Sequence, residues 1–142
     1  TCKYVATVCM SYPVHAMNAV RKGLSIGGPT FIHSLDPCPK GWDYDPILSH
    51  ELGELAVLTG IWPLYEVENG VVKLIGKTRD IADGRVKRLP VRDYLLKQGR
   101  FAHFTDDDID YFQSKVDEMW NKWVVPGVIP FQKQLDEDRP PA

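Results

Sequence analysis

The sequence has no apolar run near the roughly 20 residues that a membrane-spanning helix needs, which leaves no candidate helix for crossing a bilayer. It also lacks an excess of charge. Seventeen Lys and Arg stand against 19 Asp and Glu, a formal net charge of −2, so a general nucleic-acid binder with its basic excess is set aside. Three cysteines in 142 residues are too few, and odd in number, for a disulfide scaffold. That scarcity favours a reducing, cytoplasmic setting. No Gly-x-Ser-x-Gly elbow marks a hydrolase nucleophile at Ser34 or Ser49. Gly23-Leu24-Ser25-Ile26-Gly27-Gly28 is neither a P-loop nor a dinucleotide fingerprint, and reads as a helix-to-strand turn. No signal peptide and no initiator Met precede Thr1-Cys2-Lys3-Tyr4. The chain enters strand-like sequence almost at once, so a missing upstream segment is expected.

What is present is a globular composition, 44% hydrophobic and 25% charged. Tyr4 to Met10 is a short apolar run rich in β-branched residues, which suits a strand covered on both faces. Val14, Met17 and Val20 follow at helical spacing, and Thr30 to Leu35 reads as a second strand. Strand, helix and strand in this order predict a βαβ unit of a parallel sheet. The loop 36–46 carries three prolines, which argue against regular structure there. Leu48, Leu52, Leu55, Ala56 and Thr59 line one helical face, and Asn69-Gly70 between two apolar runs predicts a hairpin. Residues 76–90 read as a charged loop, and Val91 to Gln98 as a short helix. Thr105 is placed to cap a helix that opens with Asp106, Asp107 and Asp108 and carries an Ile109, Phe112, Val116, Trp120, Trp123 stripe. The tail from Pro126 has no clear period.

The Pro37-Cys38-Pro39 loop carries the most chemistry. It follows the C-terminal end of a predicted parallel strand, where α/β sheets commonly place ligands. Its prolines stiffen the backbone, so the Cys38 thiolate suits a nucleophile or a metal ligand. From spacing alone, a buried cysteine in a rigid loop is the commoner outcome for a lone thiol. Cys2 and Cys9 lie seven extended steps apart, roughly 23 Å at about 3.3 Å per residue, too far to share one cluster. Cys9 reads as a small core residue and Cys2 is undetermined. His15, His33, His50 and His103 lack close metal spacing, and His50-Glu51 has no second histidine to complete a zinc-protease motif. Asp43 and Asp45 suit a cation or a solvated loop. Arg79, Arg85, Lys87 and Arg88 suit an acidic or phosphate-bearing partner, or equally solvent. Trp120 and Trp123 read as packing.

Several segments together resemble the β subunit of the 2-oxoacid:ferredoxin oxidoreductases, best the pyruvate:ferredoxin type. They are Tyr4-Val5-Ala6-Thr7 with Tyr12-Pro13, then Gly28-Pro29-Thr30-Phe31-Ile32-His33 running into Pro37-Cys38-Pro39-Lys40-Gly41-Trp42. Glu51-Leu52-Gly53, Thr59-Gly60-Ile61-Trp62-Pro63-Leu64-Tyr65-Glu66, Asn69-Gly70, Tyr94-Leu95 and Gln98-Gly99-Arg100-Phe101 extend the likeness. It covers about residues 4–123 with order and spacing shared.

The resemblance implies an α/β fold. Residues 1–60 would be the C-terminal portion of a parallel-sheet, thiamine-diphosphate-binding domain, with the cluster-ligand loop at 36–46. Residues 61–125 would be a hairpin-and-helix extension, and residues 126–142 a tail. It implies that Cys38 is one ligand of a proximal [4Fe-4S] cluster, reversing the preference from spacing alone, and carries no role to Cys2 or Cys9. The family's other three cluster cysteines and its Gly-Asp-Gly thiamine and Mg²⁺ motif are absent here, and Ala82-Asp83-Gly84 lies in the wrong place to replace the latter. The chain therefore reads as the C-terminal half of such a subunit, inactive alone. The implied partners are the remainder of the β subunit, the alpha, gamma and delta type subunits, coenzyme A, and ferredoxin or another acceptor. The implied reaction is oxidative decarboxylation of a 2-oxoacid. Pyruvate is the default from Gly41-Trp42 and Trp62 to Tyr65; phenylglyoxylate, branched-chain oxoacids and oxalate stay open. Two other readings remain: a free-standing thiol enzyme with Cys38 as nucleophile and His33 or His50 as base, and a noncatalytic docking module.

Overall fold

A computed structural model describes residues 2–128. Its centre is β1 (Tyr4–Cys9), in which Tyr4, Ala6, Val8 and Cys9 are all buried. Burial on both faces is what a β-branched run without alternation demands. Tyr12 ends the turn after β1, and Pro13 opens α1 (Pro13–Ser25), where its missing N–H costs nothing. The small residues Ala16, Ala19 and Gly23 form the inner face of α1. β2 (Thr30–Leu35) then runs parallel to β1, with Tyr4 opposite Thr30 and Cys9 opposite Leu35.

The short helix α2 (Pro39–Trp42) follows β2. Prolines were expected to exclude regular structure from this loop. Pro39 instead starts the helix, because a first-turn residue needs no N–H partner. A 3-10 turn (Pro46–Leu48) leads into α3 (Ser49–Leu58). β3 (Tyr65–Glu68) and β4 (Val71–Leu74) form the predicted hairpin, with Asn69 and Gly70 both at positive φ. β3 pairs antiparallel with β1, so the four strands form one sheet in the order β2-β1-β3-β4. The fold is mixed α/β, a parallel pair extended by a hairpin and helices, as expected.

The expectation of a loop over 76–90 is corrected. Gly76–Ala82 forms α4, and the buried Thr78 hydroxyl accepts a 2.7 Å hydrogen bond from the Leu64 N–H. Tertiary anchoring there outweighs the polar local sequence. The predicted Val91 helix shortens to α5 (Arg92–Leu95). α6 (Asp106–Met119) is capped by Thr105 as expected, in a reciprocal box with Asp108. Its apolar stripe ends in a wider π turn (Trp120–Val124). The largest core gathers Leu52, Leu55, Ala56, Val91, Tyr94, Leu95, Ile109, Val116 and Trp120, joining α3, α5 and α6. A second joins α1 to the sheet through Tyr4, Ala6, Val8, Ala16 and Ala19. Among the described residues no helix is long and apolar enough to cross a membrane. Most of the predicted tail lies outside the described residues.

Candidate functional site

Because Cys9 and Leu35 are in register, the segments after β1 and β2 leave the sheet side by side. Met10, Ser11, Asp36 and Pro37 meet Ser49 and His50 there, around a cleft of about 270 Å³. The Ser11 hydroxyl donates to the His50 carbonyl at 2.8 Å, tying the end of β1 to the start of α3. Pro37 carries the chain past this cleft to Cys38. Its side chain caps α2, with the Gly41 N–H directed at Cys38 Sγ at 3.4 Å. Cys38 is exposed, not buried in its loop. The loop leaves the end of β2, which lies at the edge of the sheet formed by the described residues. The sulfur therefore has one fixed hydrogen-bond donor and an open side.

The loop is braced from a distant part of the chain. The Arg100 guanidinium lies 4.1 Å from the Trp42 ring centroid and 4.7 Å from that of Phe101. Its Nε–H donates to Gln98 Oε1 at 2.9 Å, and another N–H reaches the Tyr94 hydroxyl at 3.3 Å. Asp43, at φ 54°, turns its carbonyl to accept the Gly99 N–H at 2.7 Å. A Cβ on Gly99 would sit 2.0 Å from Asp43 Oδ2, so only glycine lets the two loops approach this closely. Sequence reasoning gave no role to Arg100 or to this contact. The only signal was that Gly41-Trp42 and Gln98-Gly99-Arg100-Phe101 both fall among the family-like segments.

The remaining expected sites sort clearly. Cys9 is a core residue, as expected, beside Val57 and Leu64. Burial pushes its thiol pKa up, and the S–H donates to the Gly53 carbonyl at 3.5 Å. Cys2 is exposed. His33 stacks edge-on against Trp62 at 4.7 Å, and His50 Nδ1 lies 3.5 Å from Glu54. No histidine among the described residues hydrogen-bonds Cys38, so the thiol-enzyme reading lacks its base. Asp45 Oδ1 accepts from the Ile47 N–H, the main-chain carbonyl of Asp43 accepts from the Gly99 N–H, and neither carboxylate belongs to a cluster of three metal-ligating side chains among the described residues. Arg85 pairs with Asp80 and Asp83. Arg88 pairs with Asp117 and stacks on Trp120, 5.0 Å from its ring centroid. Both arginines form ion pairs within the fold. Trp120 is core packing, whereas Trp123 lines an apolar cleft of about 180 Å³ by the hairpin.

The donor set around Cys38 fits one ligand of a metal cluster and no more. A solvent-facing thiol with an amide N–H on sulfur suits metal ligation. Among the described residues no three His, Cys, Asp or Glu side chains converge to hold an ion. Asp83 is engaged with Arg85, so Ala82-Asp83-Gly84 offers no free carboxylate for Mg²⁺.

No family model matches the chain. The chain is 50% identical over 115 residues to the pyruvate synthase subunit PorB of Methanocaldococcus jannaschii, covering 81% of this chain and 36% of that protein. It is 43% identical over 116 residues to the PorB subunit of Methanothermobacter marburgensis, covering 82% and 38%. It is 35% identical over 119 residues to the ketoisovalerate oxidoreductase subunit VorB of Pyrococcus furiosus, covering 84% and 37%. The resemblance to β subunits of 2-oxoacid:ferredoxin oxidoreductases is thereby borne out. The chain spans a little over a third of the length of these relatives, consistent with the C-terminal part of such a subunit.

Proposed function

We propose that this chain is part of a thiamine-diphosphate-dependent 2-oxoacid:acceptor oxidoreductase, in which Cys38 supplies one ligand of a proximal [4Fe-4S] cluster. The reading rests on one observation above all. An exposed cysteine stands where a parallel strand ends, its sulfur already hydrogen-bonded by a backbone amide, in a chain half identical to a pyruvate synthase subunit over most of its length. A bound cluster supplies one-electron transfer, and thiamine diphosphate supplies the electron sink for decarboxylation. The work of this chain is narrower. Pro37 and Pro39 limit the loop, Cys38 presents a thiolate, and the Gly41 N–H stabilises charge on the sulfur. Arg100 holds Trp42, and with it α2, against the α5 side of the molecule.

Pyruvate is the proposed substrate, with coenzyme A taking the acyl group and electrons passing to ferredoxin or another acceptor. A ketoisovalerate oxidoreductase among the relatives keeps branched-chain oxoacids in contention. The other cluster thiolates and the thiamine and Mg²⁺ site belong to the remainder of the β subunit, which works with alpha, gamma and delta type chains. The chain alone is proposed to be inactive, and the assembly cytoplasmic.

The test is a Cys38→Ala complex. It is expected to keep thiamine while losing the iron and the EPR signal of one [4Fe-4S] cluster, with most electron transfer. Unchanged iron content and an unchanged cluster spectrum would overturn the assignment. A native particle with no thiamine-binding chain and no further cluster cysteines would favour the docking-module reading.

A further inference from the structure

α2 is a single turn, Pro39–Trp42. One turn does not hold itself together in water, because nucleating a helix fixes several residues for one hydrogen bond. Within it the Trp42 N–H donates to the Cys38 carbonyl at 2.9 Å, and the Tyr44 N–H closes on the Pro39 carbonyl at 3.3 Å. The same turn aims the Gly41 N–H at Cys38 Sγ. What keeps that amide on the sulfur must therefore come from outside the turn.

Two outside contacts are present, and both come from residues 98–101. The Arg100 guanidinium covers the Trp42 ring at 4.1 Å. The Gly99 N–H donates to the Asp43 carbonyl at 2.7 Å and holds Asp43 at φ 54°, a conformation that a residue with a Cβ does not favour. Trp42 and Asp43 are the two residues directly after Gly41. The clamp itself has a firm mounting. Gln98, only 2% exposed, accepts from Arg100 Nε–H and donates to the Tyr94 carbonyl at 2.8 Å. Tyr94 and Leu95 belong to the largest core. Contacts thus run without a break from that core through Gln98 and Arg100 to Trp42, one residue from the amide on the sulfur. Among the described residues neither Gly99 nor Arg100 hydrogen-bonds Cys38, so their effect on it passes through α2.

We propose that Arg100 and Gly99 are positioning residues for the cluster at Cys38: by clamping Trp42 and Asp43 they hold the Gly41 N–H on the sulfur and so raise the cluster's reduction potential. The inference deepens the oxidoreductase reading above and rests on its assignment of Cys38. The physical reason is electrostatic. Reduction adds one negative charge, shared with the ligating sulfurs, and an amide N–H on sulfur stabilises the more negative state. When the clamp is slack the amide leaves the sulfur, and reduction becomes harder.

The test is a redox titration of the native particle, followed by EPR, on the cluster whose signal Cys38→Ala removes. In Arg100→Ala, reduction is expected to become about tenfold less favourable, a downward shift of about 59 mV for one electron. Trp42→Leu keeps the arginine charge but removes the ring under it, and is expected to shift the potential by as much. Gly99→Ala acts at the other anchor and is expected to shift it in the same direction. Glu66→Gln, which breaks a pair with Lys22 in the hairpin, is expected to leave it unchanged. Where a variant particle loses the cluster, Trp42→Phe is read in its place, and its smaller ring is expected to give a smaller downward shift. A wild-type potential in Trp42→Leu beside a lowered one in Arg100→Ala would show that the arginine acts by charge alone, and overturns the inference. An equal shift in Glu66→Gln overturns it too, since general loosening then suffices. Wild-type potentials throughout, with the cluster lost in Cys38→Ala, leave the ligand assignment standing and sink the positioning role. A cluster retained in Cys38→Ala removes the ligand assignment itself, and the inference with it.

Discussion

Arg100 shows how much one side chain can organise. Its guanidinium lies against the rings of Trp42 and Phe101 and hydrogen-bonds Gln98 and Tyr94, while Gly99 beside it admits the carbonyl of Asp43. Truncating it removes the stacking and leaves the buried Gln98 with one partner fewer. Arg100→Ala is expected to destabilise the chain by about 1 kcal/mol or more in urea titration. In the assembled complex it should weaken iron retention at the Cys38 site, whereas Arg100→Lys should restore part of the stability and little of the retention, since lysine cannot stack as a plane. Equal behaviour of the two variants would show that only the charge matters. Trp120 and Gly60 illustrate a second close fit: the indole N–H donates to the Gly60 carbonyl at 2.9 Å, and a Cβ on Gly60 would lie 2.3 Å from that nitrogen.

At the scale of elements, local chemistry decides where helices begin. Thr105 and Asp108 satisfy each other's backbone N–H groups at the start of α6, and three aspartates there suit the positive end of the helix dipole. Thr105→Ala is expected to cost about 1 kcal/mol, read as a lower urea midpoint with an unchanged slope. This start was legible because capping depends on residues three apart. β1, β2 and the Asn69-Gly70 hairpin were legible for the same reason, resting on runs and turns of a few residues. α4 was not. Its polar sequence has no strong helical face, and its position follows from Thr78 meeting the Leu64 N–H across the fold. The short α2 was hidden too, because prolines read as breakers until one of them sits in a first turn.

For the molecule as a whole, Lys22 joins the βαβ half to the hairpin through Glu66 and Glu68. Burial alone would raise the Glu66 carboxyl pKa, but the hydrogen bond and the charge of Lys22 bring it below the usual glutamate range. A carboxylate with a depressed folded pKa contributes stability that is present above its unfolded value. That contribution is lost as pH falls through the folded value. The expected loss therefore begins below about pH 4.3, the ordinary glutamate pKa. Glu66→Gln should lower the unfolding midpoint at pH 7 and flatten the acid limb of a stability-against-pH curve. A variant with the wild-type acid limb would show that the bridge contributes nothing.

The sequence by itself determined the strands, the hairpin, the capped helix and the Pro37-Cys38-Pro39 loop, because each depends on residues within a turn or two of one another. It also carried the family likeness, spread over many short segments in a shared order. The tertiary structure decided that Cys38 is exposed and Cys9 buried. It brought Arg100 onto Trp42 and set β1 between β2 and β3 in the sheet of the described residues. Those outcomes depend on register and on contacts between segments far apart in the chain, which no local pattern encodes.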